Sequence, residues 1–252
     1  MKLTTRNSQR PGTESYTSVN PDLSALEQQG YFVYQVHSLE VLNADPWAKL
    51  ATLSLPLLDV GDGGYDVVVS GPDTILEAGK WPRPPMGPIM RNGHHDTEGA
   101  RGHFRGLVAI LEDGTIIVDK AQGASKKDLT ARFSQPGNPL RDVCGGGALI
   151  VDNGRFVSDL DLIREQLYGG NPGGIRARPM RRGVHVIFGI RRGRAMAALC
   201  WAKSGIQIRE DFLAMGFTSV VKFATGSDVY LNDGEYMVGG QNAVGFGIHL
   251  RR

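Results

Sequence analysis

The sequence predicts an α+β fold: a mixed, largely antiparallel sheet with helices packed on it. Three observations predict it. The 34 glycines in 252 residues are about twice the ordinary share and lie scattered between short apolar runs. Asp113-Gly114, Asn153-Gly154 and Asp233-Gly234 each sit between stretches of strand composition, the signal of a tight hairpin. Ser125 with Asp128, and Ser158 with Asp161, give capping patterns that open helices between those hairpins.

The elements follow in order. Residues 1–20 are polar throughout and read as a flexible N-terminal arm, and residues 21–252 as one domain. Asp22 is placed to cap a short helix over 23–29 that Gly30 ends. Residues 31–42 (YFVYQVHSLEVL) are aromatic and branched, hence a strand. Asp45-Pro46 starts a helix that fades near Leu53. Residues 65–70 (YDVVVS) read as a buried strand, and the proline-rich stretch up to Gly93 as an irregular loop. Strands 106–111 and 115–118 flank the first Asp-Gly turn, and a helix follows near 126–133.

The second half repeats this grammar. Residues 147–152 (GALIVD) form a strand before the Asn-Gly turn. The helix after Ser158 sets Leu160, Ile163 and Leu167 on one face and stops at Gly169-Gly170. Strands 183–190 and 194–201 make a hairpin. Ser204 and Gln207 open a helix lined by Ile208, Phe212 and Met215 and closed by Gly216. Strands 218–223, 229–231, 235–238 and 243–250 complete the chain. Trp201 and Phe223 are core positions.

Composition narrows the function classes. No run of 18 apolar residues exists, so no membrane-spanning helix is expected, and the polar start lacks the apolar stretch of a secretory signal. A soluble protein, cytoplasmic when made, is the expectation. Cys144 and Cys200 form no disulfide framework and no CxxC pair. Net charge is +2, yet residues 176–194 hold seven arginines and no acid or lysine, so the remainder has 21 basic against 26 acidic residues, net −5. Such a local cluster suits phosphate or carboxylate. Without interleaved aromatics or a nucleic-acid motif, nucleic acid is not the expected partner.

Four segments, in order, resemble the phosphodiester glycosidase family: VVVSGP (67–72) with MGPIMRNG (86–93), CGGGALIVDNG (144–154), HVIFGI (185–190) and MGFTSVVKFATGSDVYLNDG (215–234). The resemblance covers roughly 180 residues, with 143–250 the best-matched core. It implies a phosphodiester glycosidase-like fold and the chemistry of that family, cleavage of a sugar from a sugar-1-phosphodiester. The departures from the family pattern are specific. Ser70-Gly71-Pro72-Asp73-Thr74 replaces the family's Asn-Gly-Gly-Phe-Phe, and proline removes a backbone donor. His185 stands at the family arginine. Ala224 stands at the family aspartate, which removes acid–base capacity there. Thr225 replaces a glycine, and Gly226, Ser227 and Asp228 follow.

The resemblance therefore assigns catalytic roles to Asp228, His185 and Ser227, and substrate contacts to Gly226, Thr225, Arg181, Arg182, Ser70 and Gly71. No cofactor is expected. A divalent metal is the alternative, held by His94, His95 and Asp96 with Glu98 and His103 nearby, against a solvated polar loop. Cys144 reads as a small core residue rather than a nucleophile. Two function classes stay open. One is a protein that acts on or binds phosphodiester-linked glycans, an enzyme or a pseudoenzyme of that family, or a glycan-binding module that keeps only the pocket. The other is a non-catalytic structural or assembly protein on the same scaffold, such as a phage virion or tail component tied to its neighbours by the arm.

Overall fold

The computed structural model describes residues 23–43, 64–72, 85–99, 106–164, 182–225, 229–234, 237–238 and 244–251. The N-terminal arm and the helix expected after Asp45-Pro46 lie outside them. Four helices are described: α1 (Ser24–Gln28), α2 (Lys126–Phe133), α3 (Asp159–Arg164) and α4 (Gly205–Ala214). The strands are β1 (Tyr31–Asn43), β2 (Val67–Ser70), β3 (Ile89–Arg91), β4 (His94–Thr97), β5 (Gly106–Leu111), β6 (Ile116–Lys120), β7 (Leu140–Asp152), β8 (Arg155–Phe156), β9 (Gly183–Arg191), β10 (Arg194–Lys203), β11 (Ser219–Thr225), β12 (Leu231–Asn232), β13 (Met237–Val238) and β14 (Val244–Leu250).

These strands join one sheet in the order β13-β12-β2-β14-β1-β10-β9-β11-β7-β3-β4, with β5 and β8 also paired to β7 and β6 to β5. More than half of the described residues lie in strands, and the antiparallel sheet curls into a half-barrel. This corrects the expected α+β fold with packed helices. The reason lies in two 13-residue strands that change partner along their length. β1 pairs β10 from Tyr31 to Gln35, then β14 from Val36 to Asn43, with a bulge between Val36 and Ser38. β7 pairs β3 at Val143 and Cys144 and β11 from Ala148 to Val151, while β5 runs along residues 140–147. Each partner change bends the sheet, and bulges sharpen the twist.

Burial follows from this curl. β5 (GLVAIL) is buried at every position, the continuous apolar run of a strand covered on both faces. Leu107, Ala109 and Leu111 pack with Leu129 and Phe133 of α2, whereas Val108 and Ile110 join the main core. Phe188, Phe223 and Phe246, from β9, β11 and β14, meet at ring-centroid distances of 4.5–5.9 Å. Three strands that are not all neighbours thus share one aromatic centre.

Local signals agree well with the helices. Ser125 Oγ accepts from the Asp128 amide at the start of α2. Ser204 and Gln207 form the full capping box of α4, with Ile208 and Phe212 buried. The Asn153-Gly154 turn carries φ of 49° and 68°, the pair of positive values a two-residue hairpin turn needs. Two details differ. Leu160 is 56% exposed and Leu162 is buried in α3, so Leu160 does not lie on the helix face turned to the core. The strand expected over 147–152 begins at Leu140 and runs straight through the glycines.

Those glycines set the geometry at the centre of β7. A Cβ on Gly145 would lie 2.6 Å from Pro88 Cδ, one on Gly146 2.5 Å from the Gly87 amide nitrogen, and one on Gly147 2.6 Å from Val221 Cγ2. Gly146 also has φ +104°, a region that side-chain-bearing residues avoid. Here backbone packs directly on backbone. Gly146→Ala is expected to lose on the order of 3 kcal/mol, combining strain and overpacking. Gly154→Ala, at φ +68° with open space around it, should lose only about 1 kcal/mol. Urea unfolding of the two variants checks the difference, and equal losses would refute it.

Candidate functional site

The candidate site is assembled at the end of β11 and across the neighbouring strands. Tyr31 of β1 pairs Cys200 of β10, Cys200 pairs His185 of β9, and His185 pairs Thr225 of β11. Directly opposed residues share a sheet face, so Tyr31, Cys200 and His185 form one row. Lys222 pairs Ile187, two residues along from His185, which places Lys222 on that same face. α4 covers it: the rings of Tyr31 and Phe212 meet edge to face at 5.4 Å.

His185 and Lys222 are both fully buried. Lys222 Nζ lies 3.1 Å from His185 Nδ1 and donates to the Phe223 carbonyl at 2.8 Å. An ammonium has no acceptor, so Nδ1 of His185 must accept. Nε2 then carries the proton and donates to the Lys203 carbonyl at 2.9 Å. This is the neutral tautomer, fixed by its two neighbours. Lys222 Nζ is the donor of the pair. A second polar group adjoins it: Lys203 Nζ and Tyr31 Oη both donate to Asp211 Oδ2, at 2.9 and 2.6 Å, and Lys203 lies 4.8 Å over the Tyr31 ring. Burial, reinforced by the bond to Asp211, pushes the Tyr31 hydroxyl far above its usual range. Burial likewise pushes the Cys200 thiol up to about 12, against the opposing pull of Lys222 and Lys203.

An irregularity in β10 makes this possible. The register shifts between Cys200 and Lys203, and Ala202 takes φ +56°. Arg182, exposed at the start of β9, donates from Nε to the Ala202 carbonyl at 2.5 Å. It braces the bulge that presents the Lys203 carbonyl to His185.

Ser70 and Gly71 close the half-barrel. Ser70 is fully buried, and its Oγ accepts from the Tyr230 amide at 2.9 Å. The Gly71 amide donates to Val244 O, and the Gly71 carbonyl accepts from the Ala224 amide at 3.1 Å. β2 and β11 are far apart in the sheet order, yet this contact joins their ends. A Cβ on Gly71 would meet Cys144 Sγ at 2.8 Å. Pro72, also buried, packs against Gly146.

Of the residues named from sequence, the structure brings His185, Ser70, Gly71 and the Thr225 backbone to this end of the sheet, with Arg182 at its margin. Asp228, Ser227, Gly226 and Arg181 lie outside the described residues. The described arginines of that stretch do not gather at one place. Arg182 stands at the start of β9, while Arg191, Arg192 and Arg194 stand at its other end. Arg191 is buried there, with Nε donating to the Met215 carbonyl at 2.6 Å. His94 is 83% exposed, His95 Nε2 is bonded to Ala124 O, and Asp96 is paired with Arg91 at 2.5 Å. Among the described residues, no group of three or more His, Cys, Asp or Glu side chains could hold a metal. Cys144 is fully buried, which raises its thiol well above the ordinary value. It is held against Gly71, with no base beside it among the described residues.

Lys222 is the residue that sequence reasoning missed. Its signal was present: a single lysine inside the otherwise apolar run SVV-K-FA. A lysine that a strand buries must have specific partners.

No protein-family model matches the chain, and no curated protein sequence does. Solved structures do. The catalytic domain of zebrafish N-acetylglucosamine-1-phosphodiester alpha-N-acetylglucosaminidase, auto-inhibited by its pro-peptide, aligns with a TM-score of 0.57 over 85% of this chain and 73% of that one, at 14% identity. A hypothetical protein from Synechocystis aligns with a TM-score of 0.50 over 88% of this chain and 62% of that one, at 11% identity. At such identities the likeness is one of fold alone, a distant relationship.

The raised thiol gives a pH prediction. With its pKa raised from 9.0 to about 12, Cys200 contributes stability that is whole below pH 9 and lost as pH rises toward 12. Tyr31 acts in the same direction at higher pH. Urea midpoints should therefore fall from pH 9 to 12, and the fall should be shallower in Cys200→Ala. Parallel curves for the two proteins would refute the assignment.

Proposed function

We propose that the chain binds phosphodiester-linked glycans at the end of β11, on a phosphodiester glycosidase-like scaffold. The observation that carries this reading is the His185–Lys222 pair. His185 stands where the resemblance puts the family's arginine, and a neutral imidazole would leave that place without charge. Lys222 of the adjacent strand restores it, 3.1 Å from the ring. A buried ammonium acts in a medium of low dielectric, so its field on a nearby phosphate is stronger than that of a solvated one. Lys222 lies four residues before Gly226 in sequence, and the resemblance assigns Gly226, Ser227 and Asp228 to the same site.

Binding is favoured over turnover because Ala224 replaces the family's aspartate. Asp211, a carboxylate in the described cluster, is already held by Tyr31 and Lys203. A second reading is a non-catalytic structural or assembly protein. It draws on Pro72, which packs on Gly146, so that the glycine run meets protein backbone there.

Calorimetric titration of the full chain with a methyl diester of N-acetylglucosamine-1-phosphate tests the reading. Binding is expected, with no sugar released above a heat-killed control. Lys222→Met should weaken binding by at least about tenfold, with folding checked by circular dichroism. His185→Gln should have a smaller effect, since it keeps a neutral acceptor. Absence of binding by the native chain across a panel of such diesters would favour the structural reading.

A further inference from the structure

A second polar site lies at the bulge of β1, away from the His185–Lys222 pair. Along β1, Val36, Leu39 and Val41 are buried, while His37 is exposed and Ser38 half-buried. Strict alternation would bury Ser38 and expose Leu39. The bulge between Val36 and Ser38 shifts the phase by one residue, so two consecutive side chains face outward. Re-aiming side chains is what such bulges do. His37 and Ser38 therefore line one groove, together with Asp66, His249, Leu250 and Arg251. Its volume, about 640 Å³, falls within the range of small-molecule sites, roughly 300–1,000 Å³.

The walls of the groove are anchored. Asp66 Oδ2 accepts from the Leu250 amide at 2.8 Å, and the Asp66 amide donates to the Ile248 carbonyl. The Arg251 amide donates to the Gln35 carbonyl at 3.0 Å. The Tyr65 ring lies against Gly247, where a Cβ would be 2.5 Å away, and 5.2 Å from the His249 ring. The backbone that carries His249 and Arg251 is thus clamped on both sides. Among the described residues, neither histidine nor Arg251 takes part in an ion pair. Nor do the histidines and Asp66 belong to a group able to hold a metal.

We propose that this groove binds a small phosphorylated sugar, with Arg251, His37 and His249 donating to the phosphate and Asp66 accepting from a hydroxyl. The mixed lining selects the ligand. Arg251 supplies a planar fork of donors suited to phosphate oxygens. Asp66 disfavours a bare anion but favours a ligand that carries hydroxyl donors beside its phosphate. The site stands independently of the His185–Lys222 reading.

Ring ¹H–¹⁵N correlation spectra of the full chain, assigned through single His→Gln variants, test the proposal. On titration with glucose-1-phosphate, the His37 and His249 ring signals should move and those of His185 should not. Inorganic phosphate should bind at least about tenfold more weakly, and glucose should leave the spectrum unchanged. Arg251→Gln should weaken the glucose-1-phosphate response by at least about tenfold. Lys222→Met should leave it intact, which separates this site from the one above. Unmoved ring signals, an equal response to glucose, or undiminished binding by Arg251→Gln would each overturn the proposal.

Discussion

The structure depends on one close approach. At Gly145–Gly147 the backbone of β7 touches Pro88, the Gly87 amide and the β11 side chain of Val221, with no room for a Cβ. This contact lets a single strand serve β3 and β5 along its first half and β11 along its second. A bulkier run would push those neighbours apart, and the sheet would open. Because β7 is buried at nearly every position, small displacements there would reach both hydrophobic clusters. Densely packed interiors transmit such strain rather than absorb it.

Closure at the other end rests on polar contacts between strands that are not neighbours. The Gly71 carbonyl takes the Ala224 amide, and Ser70 exchanges hydrogen bonds with Tyr230. These contacts satisfy backbone groups that would otherwise be buried without partners. They also explain why Ser70 and Gly71 tolerate no side-chain freedom: one is spent on an amide, and the other faces Cys144. The polar layer beneath α4 follows the same rule. Lys222, His185, Lys203, Asp211 and Tyr31 are linked partner to partner, as buried ionisable groups must be. Such a network fixes the helix on the sheet.

The fold likeness to a sugar-phosphodiester glycosidase is distant, and a fold hosts many chemistries. What distinguishes this chain is where its charge sits. In the proposed reading, a histidine at one strand position and a lysine on the next strand together take the place of a single arginine. The pair is less exposed than a surface arginine and more dependent on its neighbours. Its partner at Lys203 O is in turn positioned by the β10 bulge. The recognition proposed for this place therefore rests on backbone geometry as much as on side-chain identity.

Much of the local structure was legible in the residues. The Ser125 and Ser204 caps, the Asn153-Gly154 turn and the β9–β10 hairpin need only short-range chemistry, and they lie where their sequences indicate. The face of α3 was not legible, because whether Leu160 or Leu162 is buried depends on how the helix sits against β7. The arginine cluster misled too: a nine-residue strand separates Arg182 from Arg191, Arg192 and Arg194. Lys222 could be suspected from its apolar surroundings, but its link to His185 depends on the register of β9 against β11. The balance of sheet over helix was likewise a tertiary outcome. The sequence by itself determined the turns, the caps and the alternation of apolar runs, since these depend on neighbours a few residues away. Only the tertiary structure decided that β1 and β7 exchange partners midway, that Gly145–Gly147 face protein backbone, and that His185 meets Lys222. Each of these depends on which strands pair and in what register, and pairing is set by packing the whole sheet at once.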